Sequence, residues 1–412
     1  MPSTTSLATA VLPLIRTGAD LHRWNAANEH GRQMHRAADI LELALVTDDP
    51  AEVFTVTSKA LASAITIIAR ADDSSGVIGD ACRRLLYLHP KAAARADAPV
   101  SKLVKWMITF QFNGKVDYFE LDPVAYAPAL GETGMAQYRA KLNEITEQLG
   151  PKPPEDHRWS SPDSAIRWVL EWNERRLAVY DRDVDAIIRT HSRDRKVAAW
   201  LLHTAEALDE IGDISLAIEW AKLGADFDVG HQSVQAADFW CHLLSEHRPS
   251  ELLDARLVVF NRWPNAIHAG TLHEVAGDHW DEYREVVVVA LSKRPAEAVS
   301  FALSSLKDVR TAWDWAHSLG LDDDRLWASL AKAYEKVDPL IVLPVLTRLV
   351  KNELTEANAH HYQPAARRLK KMRQLAAGSE EAAQVDTLIF ELRATYRRRP
   401  RLQQEFDRAG LP

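Results

Sequence analysis

The chain reads as an all-α protein, a tetratricopeptide-like α-solenoid with an N-terminal helical region, on three observations. The segment 196–224, KVAAWLLHTAEALDEIGDISLAIEWAKLG, holds two apolar stripes at helical spacing. Val197, Trp200, Leu201, Ala205 and Leu208 form the first; Ile214, Ala217, Trp220, Ala221 and Gly224 form the second, after a break at Gly212-Asp213. Neither helix buries its apolar face alone, so such units stack and share one continuous core. Strand-like alternation is almost absent, and 16 Gly and 19 Pro in 412 residues rich in alanine, leucine and arginine favour helices over sandwiches or barrels. A single core stops growing at about 250–300 residues. The length therefore implies two domains or an elongated array.

The elements follow in order. Residues 8–46 give a short helix ending near Gly18, then a longer one with Ala38, Leu41, Ala44 and Leu45 on one side. The turn Thr47-Asp48-Asp49-Pro50 caps the next helix, 50–70, because proline suits the first helical position after an acidic cap. Val53, Val56, Ala60, Ala64 and Ile67 share its inner face, and Asp72–Gly76 closes it. Helices at 77–96 and within 99–113 follow, separated by Ala98-Pro99, and Asn113-Gly114 is a tight turn. Short and long helices at 122–130 and 132–149 meet at Gly131 and Gly134, which supply permissive backbone.

Residues 150–163, GPKPPEDHRWSSPD, contain four prolines and read as a linker, or as an ordered excursion packed by Trp159. The expected organisation is an N-terminal helical region at 1–149, the proline-rich linker at 150–163, and a helical-repeat region at 164–412. That last region opens with a helix at 163–180 and continues in pairs: 233–247 with 250–261, 282–291 with 295–306, 308–318 with 323–335, then 338–350, 355–376, 379–396 and 400–409. The β-branched run REVVVVALS at 284–292 is read as a buried helix because its neighbours are helical.

A net charge of -8 gives no global reason to bind nucleic acid. Two distant cysteines, Cys82 and Cys241, exclude a disulfide framework or a Cys-rich zinc site. No basic segment precedes the short apolar stretch at the N-terminus, and no run approaches the roughly 20 apolar residues that span a bilayer. The expectation is a cytoplasmic protein that neither spans nor binds a membrane.

Two stretches carry a resemblance beyond periodicity. ADDSSGVIGDACRRLLYLHPKAAARADAP (71–99) and FELDPVAYAPALGETGMAQYRAKL (119–142) resemble a bacterial family of unknown function, in which an Asp-Ser-Gly turn precedes a helix with Leu and His and a Tyr-Ala-Leu-Gly-Gly-Tyr pattern marks the next helices. LPVLTRLVKNELTEANAHHYQPAARRLKKMRQL (343–375) and LIFELRATYRRRPRLQQEFDRAGL (388–411) are similar to the helical-repeat region that trails SWIM zinc fingers. The finger's Cys-Cys-Cys-His quartet is absent, so this second resemblance implies a scaffold without the metal module. Neither supplies a reaction.

No catalytic, cofactor-binding or metal residue is assigned. His268, His273 and His279 lie close, with Glu274 and Asp278 between them, but a helical zinc site needs two His at i, i+4, and Gly270 and Gly277 imply an irregular segment. Cys241, His242, Glu246 and His247 also lie close, but on a helix His242 and Glu246 share a face while His247 points away, and the adjacent pair His360-His361 cannot both face one site on a helix. No Gly-x-Ser-x-Gly elbow occurs, and SSGVIGD at 74–80 lacks the glycines and lysine of a P-loop.

Two features point to binding. Arg367, Arg368, Lys370, Lys371 and Arg373 share a helix, with Arg397, Arg398, Arg399 and Arg401 close behind, so that packed last helices would give a positive surface for phosphate or an acidic protein. The same cations also suit solvated helix ends. Among 13 tryptophans, Trp168 and Trp172 stand at i, i+4, placed to wedge between helices or to anchor a partner peptide in a groove. The expected role is a non-enzymatic scaffold whose partner is another protein. Nucleic acid held by the arginine-rich end is the alternative, and a histidine-lined enzyme the third reading.

Overall fold

The structure, a computed structural model, describes residues 6–114, 116, 118–151 and 162–412, and these are helical with no strand among them. The chain forms two compact units, Met1–Ala221 and Lys222–Pro412, each described by itself.

The first unit begins with α1 (Leu7–Ile15), α2 (Trp24–Thr47), α3 (Pro50–Ile68) and α4 (Val77–Arg95). Then come α5 (Val100–Phe112), α6 (Pro123–Leu149), α7 (Ser164–Asp181), α8 (Val184–Ser192) and α9 (Ala198–Glu210), while the boundary between the units falls within α10 (Ile214–Phe227). Helices α1 to α4 close one core around Met34, Leu41, Leu61, Ile78 and Leu85. Helices α5 to α7 close another around Met107, Tyr126, Met135 and Tyr138. Among α1 to α9 the main packing partner of each helix lies one or two elements away in the chain, the arrangement of an α-solenoid.

Local signals explain the helix ends. Asp49 accepts from the backbone N–H of Glu52 at 2.9 Å, with Pro50 in the first turn, as the Asp-Pro pair predicts. The Asp72–Gly76 turn serves α4: the Asp73 carboxylate accepts from the N–H groups of Ile78 and Gly79, both at 2.8 Å. The two glycines of α6 do different work. Gly131 takes φ 58°, ψ -177° and splits the helix where the sequence predicts a break. Gly134 lies in helical backbone, where a β-carbon would come within 2.8 Å of Leu130 Cβ and Val100 Cγ1, so it is there for close approach of α5.

The second unit contains α11 (His231–His247), α12 (Pro249–Arg262), α13 (Ala266–Ala276), α14 (Trp280–Ser292) and α15 (Pro295–Ser304). It continues with α16 (Val309–Ser318), α17 (Asp324–Tyr334), α18 (Leu343–Thr355), α19 (Ala359–Leu375), α20 (Glu381–Thr395) and α21 (Pro400–Arg408). Its larger core runs from Val299 to Leu411, with Trp313 edge-on to Trp327 and stacked at 4.4 Å on Tyr334. These tryptophans wedge between helices.

Several expectations are corrected. Residues 266–276 form a helix, α13, and not an irregular segment; Gly270 sits inside it because Ser305 Oγ would lie 2.5 Å from a β-carbon there. The 284–292 run is helical but only half buried: Val287 and Leu291 point inward while Val286 and Val289 are exposed. Helix α3 is long and apolar enough, by length and composition alone, to cross a bilayer. Its buried residues pack against α1, α2 and α4. Most of the expected linker at 150–163, Trp159 included, lies outside the described residues.

Candidate functional site

The first unit carries a groove of about 590 Å³, within the size range of ligand sites. Its walls come from α4 (Arg83, Leu86, Tyr87, Pro90), α5 (Phe110, Gln111), the connection bearing Tyr118 to Asp122, the start of α6 (Ala125, Tyr126) and α7 (Trp168, Val169, Trp172). Aromatic surface is left open in it: Tyr87 is 61% exposed, Tyr118 53% and Trp168 37%.

Three hydrogen-bonded assemblies hold these walls. Behind the floor, His89 lies between Trp106 and Phe54, with ring centroids 4.3 and 5.3 Å away. Its Nδ1 is 2.9 Å from the Tyr126 hydroxyl and its Nε2 3.0 Å from Ser58 Oγ. Burial pushes the imidazole pKa down to about 4, so the ring is neutral at pH 7. Ser58 donates to the Phe54 carbonyl at 2.8 Å. One tautomer satisfies every partner: Tyr126 O–H donates to Nδ1, and Nε2–H donates to Ser58.

The second assembly is a closed ring of three side chains. Gln111 Nε2 donates to the Tyr138 hydroxyl (2.6 Å), Tyr138 donates to Asn173 Oδ1 (2.6 Å), and Asn173 Nδ2 donates back to Gln111 Oε1 (2.9 Å). It ties α5, α6 and α7 together. Burial raises the Tyr138 hydroxyl pKa, which keeps it a donor.

The third assembly centres on Arg176. It makes paired hydrogen bonds to Asp122 (2.9 and 2.9 Å) and to Glu210 (2.7 and 2.7 Å), joining the 118–122 connection and α9 to α7. Burial opposes its charge, but the bonds to Glu210 and Asp122 prevail and raise the pKa. Trp172 adds an indole N–H bond to the Leu121 carbonyl at 2.9 Å.

Cations sit over the tryptophan rings beside the groove. Arg175 lies 5.7 Å from the centroids of both Trp168 and Trp172; Arg193 is 5.4 Å from Trp168 and 5.1 Å from Trp200. Arg193 holds this place with φ 49°, ψ -122°, backbone that favours glycine. The i, i+4 spacing of Trp168 and Trp172 was a readable sign of this wall. The residues contributed by 83–126 could not be read as a site, because three separate segments meet there.

The C-terminal cations are divided between two uses. Arg368 pairs with Glu353 at 2.5 Å, Lys371 with Glu335 at 3.1 Å and Arg373 with Asp386 at 2.7 Å. Arg399 donates to the Leu354 carbonyl at 2.7 Å, and Arg367 to Gln363 at 3.3 Å. Lys370, Arg397, Arg398 and Arg401 are exposed and make no ion pair among the described residues.

The remaining candidates are dispersed. His268 is buried on α13, its Nδ1 without a hydrogen-bond partner among the described residues, while His273 packs edge-on against Trp280 at 4.7 Å and His279 pairs with Glu282 on the surface. Exposed His242 lies 3.7 Å from Glu246, as the helical spacing predicts, and His247 lies 3.8 Å from it. His361 donates to the Glu353 carbonyl. Burial pushes the thiols of Cys82 and Cys241 up to about 12 and about 11, so both stay protonated at neutral pH.

No curated protein matches the chain. Among solved structures it is similar to a circular tandem repeat protein with novel repeat topology and enhanced subunit contact surfaces, at 13% identity over 98% of this chain and 94% of that one. The TM-score is 0.17. The sequence also matches a family profile over residues 9–274, a span that includes both resembling stretches at 71–99 and 119–142 and the whole groove. The chain belongs to that family, described as a family of unknown function (DUF6880).

Proposed function

We propose that the chain is a cytoplasmic, non-enzymatic scaffold that binds a partner protein through the aromatic groove of its first unit. The supporting observation is the exposure of Tyr87, Tyr118 and Trp168 around one recess whose walls are locked by the Gln111–Tyr138–Asn173 ring and the Arg176 bridges. Large amphipathic rings on a fixed backbone give contact area at low entropic cost, the usual property of interface anchors. No cofactor enters this reading.

The experiment is affinity purification of the tagged chain from its own host after nuclease treatment, alongside a Tyr87→Ser/Tyr118→Ser variant. A stoichiometric protein retained by the first and lost from the second supports the reading. The same proteins on both would overturn it.

A second reading rests on the outward cations Lys370, Arg397, Arg398 and Arg401 and on the likeness of the last helices to regions trailing SWIM fingers. It assigns nucleic acid to that surface. Material lost on nuclease treatment, with binding that falls steeply with salt and with Arg397→Ser/Arg398→Ser, would favour it.

A further inference from the structure

The second unit holds a groove with an apolar floor and an acidic rim. It measures about 700 Å³ and lies between the connection leading out of α17, the start of α18, and α20, with buried Met372 of α19 in its lining. Glu381, Gln384, Val385 and Leu388 stand at i, i+3, i+4 and i+7, so one face of α20 supplies a wall. Leu340, Ile341 and Leu343 add apolar surface. Ile341 is 46% exposed, and Asp338, Pro344 and Gln384 are exposed as well. The groove is therefore open along the surface and would leave a small molecule largely in water, whereas a peptide segment can lie along it.

The charge of that lining has one sign. It includes two carboxylates and, among the described residues, no lysine, arginine or histidine. Asp338 accepts from the backbone N–H groups of Leu340 and Ile341 at 3.0 and 3.2 Å, but no cation pairs with it among the described residues. Glu381, in the first turn of α20, has no side-chain partner there either. Every cation adjacent in sequence to a lining residue is taken elsewhere: Lys371 by Glu335 at 3.1 Å, Arg373 by Asp386 at 2.7 Å and Arg348 by Asp324 at 3.9 Å. We propose that this groove receives an amphipathic, basic segment of a partner protein, its apolar side chains along Leu340, Ile341 and Leu388 and its Lys or Arg side chains meeting Asp338 and Glu381. Opposite charge beside an apolar contact fixes partner choice and register more than it adds affinity, and the stems of Lys and Arg can themselves lie along apolar surface. The groove shares no residue with the aromatic groove of the first unit.

The test is calorimetric titration of the full-length chain with end-capped amphipathic peptides, their apolar residues set at helical or at alternate spacing and their polar positions filled with Lys, Gln or Glu. The Lys peptide of one spacing binds more tightly than its Gln counterpart, the Glu peptide does not bind, and high salt narrows the difference. Asp338→Asn keeps an acceptor for the Leu340 and Ile341 N–H groups, and Glu381→Gln changes a partly exposed side chain. Each weakens the Lys peptide roughly twofold to fivefold. Ile341→Ser, at an exposed position, weakens the Lys and Gln peptides alike. The Tyr87→Ser/Tyr118→Ser variant binds the Lys peptide as the parent chain does, which separates this site from the groove of the first unit. Equal binding of the Lys and Glu peptides, indifference to both charge variants, loss of Lys-peptide binding in the Tyr87/Tyr118 variant, or no binding by any peptide overturns the proposal. Self-association of the chain that Ile341→Ser abolishes would put a second copy in the groove and overturn it too.

Discussion

The Tyr126 hydroxyl donates to Nδ1 of His89 across 2.9 Å and 37 residues of chain, and this bond joins the start of α6 to the middle of α4 beneath the groove. It requires a neutral imidazole, because a protonated ring has no lone pair to accept with.

Stability therefore depends on pH in a defined window. The ordinary histidine pKa of 6.5 applies to the unfolded chain, and burial lowers His89 to about 4 when folded. Above pH 6.5 neither state binds the proton. As pH falls from 6.5 toward 4, only the unfolded state takes it up, so stability is lost on acidification, by about 2 kcal/mol at pH 5 from His89 alone. His191, also lowered to about 4, chiefly by burial, acts in the same direction. Urea midpoints at pH 7.5 and pH 5 measure the loss, and a His89→Gln variant should show a smaller difference between them.

Tyr138→Phe tests the closed ring. The substitution removes one hydroxyl and leaves buried groups of Gln111 and Asn173 with one partner fewer, at a cost of about 1–3 kcal/mol. In a double-mutant cycle with Asn173→Ala the two losses should be non-additive. Additive losses would show that the ring does not act as a unit.

The two glycines of α6 fail for different reasons. Gly131→Ala forces a β-carbon onto glycine backbone at φ 58°, costing about 1–3 kcal/mol. Gly134→Ala inserts a methyl 2.8 Å from Val100 Cγ1 and Leu130 Cβ, with a similar penalty from overpacking. Gly18→Ala, with open space around it, serves as the control and should melt like the parent chain. Pairing Gly134→Ala with Val100→Ala should restore part of the loss, a rescue unavailable to Gly131→Ala.

The C-terminal cations should separate by stability. Arg397→Ser and Arg398→Ser change exposed side chains without ion-pair partners among the described residues, and thermal melts should move little, within about 0.5 kcal/mol. Arg368→Met leaves the partly buried Glu353 carboxylate without its 2.5 Å partner and should cost about 1–3 kcal/mol.

Much of this protein follows from local spacing. The helix pairs, the cap at Asp49-Pro50, the break at Gly131 and the i, i+4 tryptophans of α7 each depend on residues within a turn or two of one another, so periodicity exposes them. The helix α13 was hidden by Gly270, a residue that signals irregularity unless one knows that Ser305 presses against it. Partners far apart in the chain decided the rest. Packing brought α4, α5, the 118–122 connection and α7 around one groove, neutralised His89 by burial, engaged Arg176, and set Arg175 beside it over two indoles, with no hydrogen bond or ion pair among the described residues. Adjacent arginines are indistinguishable in sequence. Solvation and long-range pairing, which exist only once the helices have packed, give them opposite roles.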